Sequence, residues 1–78
     1  MTFASLINLV NLFETKAGVA ATMVATLQGA QAAFAKGNVK SGGNQLNQFI
    51  QEVQAQSGKS LTTAQATILI QCATALMK

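Results

Sequence analysis

Residues 47–76, NQFIQEVQAQSGKSLTTAQATILIQCATAL, decide the fold of this chain. Phe49, Ile50 and Val53 recur at spacings of three and four residues, which is typical of one face of an α-helix. The glycine-centred segment 57–60 interrupts this pattern, and a second apolar stripe follows it. Because the connection is short, the stretch predicts two antiparallel helices joined by a tight turn.

The second helix of this hairpin has a complete start signal. Thr62 and Gln65 have the spacing of a capping box, and Leu61 and Ala66 stand where a hydrophobic staple would pack. The residues predicted to face inward are Ile68, Leu69, Cys72, Ala73 and Leu76. For Cys72, the apolar neighbours favour a small buried hydrophobic residue over an exposed thiol that forms an intermolecular link.

Two further helices are predicted upstream of the hairpin. Thr2 is a candidate cap for the first helix and Thr15 for the second, because a hydroxyl can accept a hydrogen bond from a free first-turn amide. Gly37 is expected to end the second helix in a left-handed conformation, and Asn38 to cap the third. The chain is thus expected to be a single all-α domain over residues 1–78. It should form a small antiparallel bundle of four helices at residues 3–13, 16–36, 39–57 and 62–77.

Adjacent glycines weaken the predicted start of the third helix. Gly42 and Gly43 together cost about 1–2 kcal/mol relative to two alanines. Such a pair is compatible with a close approach to the backbone, with fraying, or with a helix that begins later, near Asn44. The sequence leaves these alternatives open.

The second helix carries a row of small residues opposite its apolar face. The row consists of Ala21, Ala25, Gly29 and Ala33, which are four residues apart. Small residues allow another helix to come close. The row is therefore a candidate contact ridge for a partner protein, although helix-forming filler on a solvated face is the more ordinary interpretation.

Composition argues against several functions. The 78 residues include no histidine, and the net charge of +3 comes from lysines that are scattered singly. Catalysis would need a poised acid–base pair, and a metal site would need a cluster of ligands, so neither enzymatic activity nor a bound metal or cofactor is expected. Without a basic cluster, nucleic-acid binding is not expected either.

Two further patterns resemble functional signals but lack the features that those functions need. The GKS triplet at residues 58–60 precedes a helix, but a phosphate loop needs a glycine five residues before Gly58, where Val53 stands. The uncharged windows 17–35 and 60–77 contain several Thr and Gln residues, so no stable membrane insertion is expected. No signal peptide is recognisable near the beginning of the sequence.

Several segments together resemble the FIMAH-type helical domain of large secreted and cell-surface bacterial proteins. The resemblance covers nearly the whole chain and is most specific in the second and third helices and the turn after them. It is carried by Leu27, Lys36-Gly37-Asn38, Asn44, Leu46, Asn47, Phe49-Ile50, Val53, Gln56-Ser57-Gly58-Lys59 and Leu61-Thr62. The glycine pair at 42–43 departs from the family, which usually has better helix formers there.

The resemblance implies a non-catalytic module, C-terminal in a larger protein, with an extracellular or cell-surface location. The leading expectation is an accessory, interaction or spacer module that docks through an apolar or small-residue helix face. Its partners would be other domains of the parent protein or a cell-envelope component. The alternatives are a membrane-active, bacteriocin-like cationic peptide and a homodimerising structural module.

Overall fold

The computed structural model describes residues 2–77 and contains four helices. They are α1 (Phe3–Phe13), α2 (Ala17–Ala35), α3 (Val39–Gln56) and α4 (Thr63–Leu76). Each boundary lies within one residue of the position predicted from the sequence, so the all-α four-helix prediction is confirmed.

The helices form a closed ring in which each helix packs on two others. Helix α1 contacts α2 and α4, and α3 contacts the same two helices from the other side. The rings of Phe3 and Phe34 lie 5.9 Å apart, which places the beginning of α1 beside the end of α2. The Thr15 hydroxyl donates to the Ser60 carbonyl at 3.0 Å, which places the end of α1 beside the beginning of α4. Neighbouring helices are therefore antiparallel.

This arrangement gives the bundle two distinct ends. The joint end contains the α1–α2 joint (residues 14–16) and the α3–α4 loop (residues 57–62). The turn end contains the α2–α3 turn (residues 36–38).

Three of the predicted helix caps are present. The side chain of Thr2 accepts a hydrogen bond from the Ser5 amide, and that of Asn38 accepts one from the Ser41 amide. Thr62 and Gln65 form the reciprocal capping box, with bonds of 3.0 and 3.1 Å. Each cap satisfies amides that the first turn of a helix leaves unpaired.

The predicted cap at Thr15 is wrong. Lys16 occupies the N-cap position of α2 and makes no side-chain capping bond. The Thr15 hydroxyl bonds across the joint end to Ser60 instead, and the Glu14 carboxylate accepts a hydrogen bond from the Lys16 amide at 3.2 Å. Tertiary contact with the α3–α4 loop thus overrides the local capping preference of a threonine.

The core contains large apolar residues from all four helices and from the α3–α4 loop. The largest fully buried side chains are Phe49, Leu6, Met23, Leu27, Leu46, Leu61, Leu69, Val10 and Val53. Cys72 is a free thiol that lies partly buried against this cluster.

Ile68 was predicted to face inward, but its side chain is 42% exposed. Successive residues of an α-helix are rotated by about 100°, so the consecutive apolar residues 68–70 cannot all point into the core. The buried stripe of α4 is Ala66, Leu69 and Ala73, and Ile68 lies beside it.

The structure at the turn end explains why glycines stand at positions 37 and 42. Gly37 has a φ of 79°, and the amide of Asn38 donates to the Ala33 carbonyl at 2.9 Å. This is the expected left-handed ending of α2. Gly42 lies within α3 and is buried where the ring of Phe34 packs on it. The glycine pair therefore belongs to the third helix, and the close approach is between the Gly42 backbone and a side chain.

Candidate functional site

The structure divides the small-residue ridge of α2 into two halves. Ala21 and Ala25 are exposed, whereas Gly29 is partly buried and Ala33 is buried. A β-carbon at Gly29 would collide with the side-chain amide of Gln45 on α3. The helix that comes close to this half of the ridge is therefore α3 of the same chain, and only Ala21 and Ala25 remain open to a partner.

A groove of about 240 Å³ lies at the joint end between α2 and α3. Its walls are mostly apolar or small, and Glu52 supplies its one charged group. The lining residues are Gly18, Val19, Thr22, Met23, Glu52, Ala55 and Gln56. The Thr26 hydroxyl donates to Oε2 of Glu52 at 3.1 Å, while Oε1 is buried without a hydrogen-bond partner.

A second recess, of about 390 Å³, lies where α1 meets the α3–α4 loop. It includes the GKS triplet, and its only charged side chain is that of Lys59. The lining residues are Phe13, Thr15, Gly58, Lys59, Ser60, Leu61, Thr62 and Gln65. Because Gly58 follows a helix and not a strand, the surroundings of the triplet are not those of a phosphate loop.

Both carboxylates of the chain point inward. Glu14 is only 8% exposed, and while Oε1 accepts from the Lys16 amide, Oε2 is buried without a partner. Glu52 is partly buried and bonds to Thr26. The bonds of the two carboxylates therefore hold the beginning of α2 and the contact between α2 and α3.

Lysines occupy both ends of the bundle and are exposed at each. Lys16, Lys59 and Glu14 lie at the joint end, whereas Lys36 and Lys40 lie at the turn end. Glu52 bonds to Thr26, about halfway along α2. The fold thus separates charges that look evenly scattered along the sequence. Lys36 and Lys40 are four residues apart across the Gly-Asn turn, and this spacing could have predicted that both lie at one end of the bundle. That prediction was not made from the sequence.

Three large apolar side chains remain exposed on the part of the chain that the structure describes. Leu12 on α1 is 75% exposed, Val39 at the start of α3 is 64% exposed, and Ile68 on α4 is 42% exposed. Isolated exposed apolar residues are common on protein surfaces. Leu12 is notable because Leu6 and Val10 of the same short helix are completely buried.

Within residues 2–77, no group of three or more His, Cys, Asp or Glu residues is close enough to hold a metal ion. None of the helices in the same range is both long enough and apolar enough to span a bilayer.

No protein family, curated protein or solved structure matches the chain. The resemblance to FIMAH-type domains therefore stays a prediction that rests on the residues quoted above.

Proposed function

We propose that this chain is a non-catalytic accessory or spacer module of a larger secreted bacterial protein. It docks through an exposed helix face on another domain of that protein or on a component of the cell envelope. The extracellular context and the modular character rest on the resemblance to FIMAH-type domains. The exposure of Leu12 is the structural observation that carries the docking role.

Leu12 lies at the joint end, in the last turn of α1, with three-quarters of its side chain in water. Full burial of a leucine contributes about 1.5–3 kcal/mol. A partner that covers Leu12 would gain part of that free energy without changing the core. The exposed Ala21 and Ala25 of the adjacent helix α2 add small residues on which a partner helix can pack closely.

The positions of the carboxylates support a non-catalytic role. The Glu14 carboxylate accepts a hydrogen bond from the backbone at the beginning of α2, and the Glu52 carboxylate accepts one from a threonine hydroxyl on the neighbouring helix. General acid–base catalysis needs a group within hydrogen-bond reach of a substrate proton. Both carboxylates are already engaged in hydrogen bonds within the chain.

Homodimerisation is the second candidate, since Leu12 of one copy could also be covered by another copy. The membrane-active alternative is less well supported, because surface-active helices place their lysines along one polar face. Here, the exposed lysines of residues 2–77 lie at the two ends of the bundle.

The test begins with the open reading frame that encodes the chain, because it supplies the neighbouring domains as candidate partners. The ¹⁵N-labelled chain would be titrated with each domain and with isolated cell envelopes, and its oligomeric state measured by sedimentation equilibrium. We expect amide shifts around Leu12 and loss of binding in Leu12→Gln. The matched control is Asn11→Gln, an adjacent exposed position.

Ala25→Leu tests the open half of the ridge without touching the core, since Ala25 is exposed. Gly29→Leu is unsuitable for this purpose because its side chain would displace Gln45 on α3. A monomeric chain that binds no neighbouring domain and no envelope fraction would rule out the proposed function. A chain that dimerises through Leu12 and binds nothing else would replace it with the second candidate.

A further inference from the structure

The two lysines of the turn end are electrostatically isolated from the carboxylates of the chain's side chains. Lys40 and Glu52 lie on the same helix, about 18 Å apart along its axis at 1.5 Å per residue. Glu52 bonds to Thr26, which lies about 15 Å along α2 from Lys36. Glu14 precedes α2, whose length of 19 residues corresponds to about 28 Å.

These separations exceed the Debye length, which is about 8 Å at physiological ionic strength. Glu14 and Glu52 therefore do little to neutralise Lys36 and Lys40. At the joint end, by contrast, Lys16 and Lys59 share their end of the bundle with Glu14. The turn end is thus the cationic end of the part of the bundle that the structure describes.

An exposed apolar residue lies between the two turn-end lysines in the sequence. Val39 is the first residue of α3 and is 64% exposed, and it is followed directly by Lys40. Lys36, which is also exposed, ends α2 on the other side of the two-residue turn. Lys36, Val39 and Lys40 thus place two ammonium groups and one exposed apolar side chain within five residues of sequence, and these three residues form the turn patch.

We propose that the turn patch is a docking surface for an acidic protein segment, in which carboxylates flank an apolar side chain. The carboxylates would pair with Lys36 and Lys40, and the apolar side chain would cover Val39. Complementary charges of this kind steer association and fix the register of two partners. The proposal rests on the proposed function, because it names the chemistry of one partner of the docking module.

The composition of the turn patch favours a protein partner over an anionic polymer. Affinity for a polyanion comes from many cationic contacts with regularly spaced charges. The turn patch has only two lysines, and it includes an exposed valine that a phosphate or sulfate chain would leave uncovered. An acidic polypeptide can satisfy both the charges and the apolar residue.

The test uses the full chain with three probes, followed by ¹H–¹⁵N NMR at low and physiological salt. The probes are a short synthetic peptide with glutamates on both sides of one leucine, the same peptide with glutamines, and heparin as a polyanion. Because all four substituted lysines are exposed, the double variants K36Q/K40Q and K16Q/K59Q should both keep the fold and form a matched pair. Val39→Thr removes apolar surface while keeping the side-chain shape.

We expect the glutamate peptide to shift amides at residues 36–40 and to bind K36Q/K40Q about tenfold more weakly, as two exposed ion pairs imply. The affinity of the glutamate peptide should fall as salt is added. It should be reduced in Val39→Thr, but less than in K36Q/K40Q, and it should be unchanged in K16Q/K59Q. The glutamine peptide should not bind. Absence of binding by the glutamate peptide, an equal loss in both double variants, or tighter binding of heparin to the same residues would overturn the proposal.

Failure of the turn-patch proposal is distinguishable from failure of the proposed function. If Leu12→Gln abolishes docking on a neighbouring domain while K36Q/K40Q leaves it intact, the docking role stands and the turn patch is not its surface.

Discussion

The ring of Phe34 lies against the backbone of Gly42, so that a β-carbon at Gly42 would stand 2.8 Å from two ring carbons. The same ring is 5.9 Å from that of Phe3. Phe34 therefore joins the beginning of α1, the end of α2 and the beginning of α3, and the absence of a side chain at position 42 makes this possible.

Gly42→Ala should destabilise the bundle. Alanine is favoured over glycine in a helix by about 1 kcal/mol, but overpacking a filled site typically costs about 1–3 kcal/mol. Since the ring of Phe34 also packs near Phe3, it cannot move away freely, and we expect a net loss of about 1 kcal/mol. The measurement is the midpoint of urea unfolding followed by circular dichroism.

Gly43→Ala is the matched control for this prediction. Nothing lies within 4 Å of a β-carbon at Gly43, so the helix preference alone should act, and the variant should gain about 0.5–1 kcal/mol. If both alanine variants were stabilised equally, the ring would not be packed on Gly42. In the Phe34→Leu background, the penalty at Gly42 should become smaller.

Substitution of Glu14 should destabilise the bundle more than substitution of an exposed charged residue normally does. Glu14→Ala leaves the Lys16 amide without its acceptor, and the loss of such a hydrogen bond costs about 0.5–1.5 kcal/mol. Glu14→Gln retains a carbonyl acceptor and should cost less. Urea unfolding of the two variants decides the order, and equal stabilities would show that the bond to Lys16 contributes nothing.

Thr15 should act through the α3–α4 loop and not as a helix cap. Thr15→Val removes the hydroxyl that donates to Ser60, and we expect a loss of about 0.5–1.5 kcal/mol. The distinguishing measurement is hydrogen exchange. Amides of residues 57–62 should lose protection in Thr15→Val and regain it in Thr15→Ser, whereas selective loss at the start of α2 would restore the capping interpretation.

Two leucines of α1 should respond in opposite ways to truncation. Leu6 is fully buried, so Leu6→Ala should cost about 2–5 kcal/mol, which is a large part of the stability of a small domain. Leu12 is 75% exposed, and Leu12→Ala should change stability by less than about 0.5 kcal/mol. Thermal unfolding measures both, and a large loss at Leu12 would mean that this residue belongs to the core.

The helices and their boundaries were predictable from the sequence because their signals are local. The Thr62–Gln65 capping box, the Asn38 cap and the left-handed Gly37 each involve residues within a few positions of one another. Apolar spacing likewise identified most of the core. It failed at Ile68, where three consecutive apolar residues compete for a single buried stripe and periodicity does not decide which is excluded.

The candidate sites were less predictable because they depend on contacts between distant residues. The ridge at Ala21, Ala25, Gly29 and Ala33 is a regular row in the sequence. Only the packing of Gln45 on Gly29 shows that α3 occupies half of it. In the same way, Thr15 has a capping side chain at a plausible position, but its hydroxyl bonds to Ser60, 45 residues away.

By itself, the sequence determined that this chain forms four antiparallel helices, because spacing, caps and glycine turns act over a few residues. Only the tertiary structure shows that the glycine pair lies within α3. It also shows why position 42 has no side chain, because the ring of Phe34 packs on the backbone there. It also decided where charge accumulates. Antiparallel packing places Glu14 at one end of the bundle and Glu52 beside the middle of α2, and it leaves Lys36 and Lys40 at the other end. Distances between charges are set by packing and not by their order along the chain.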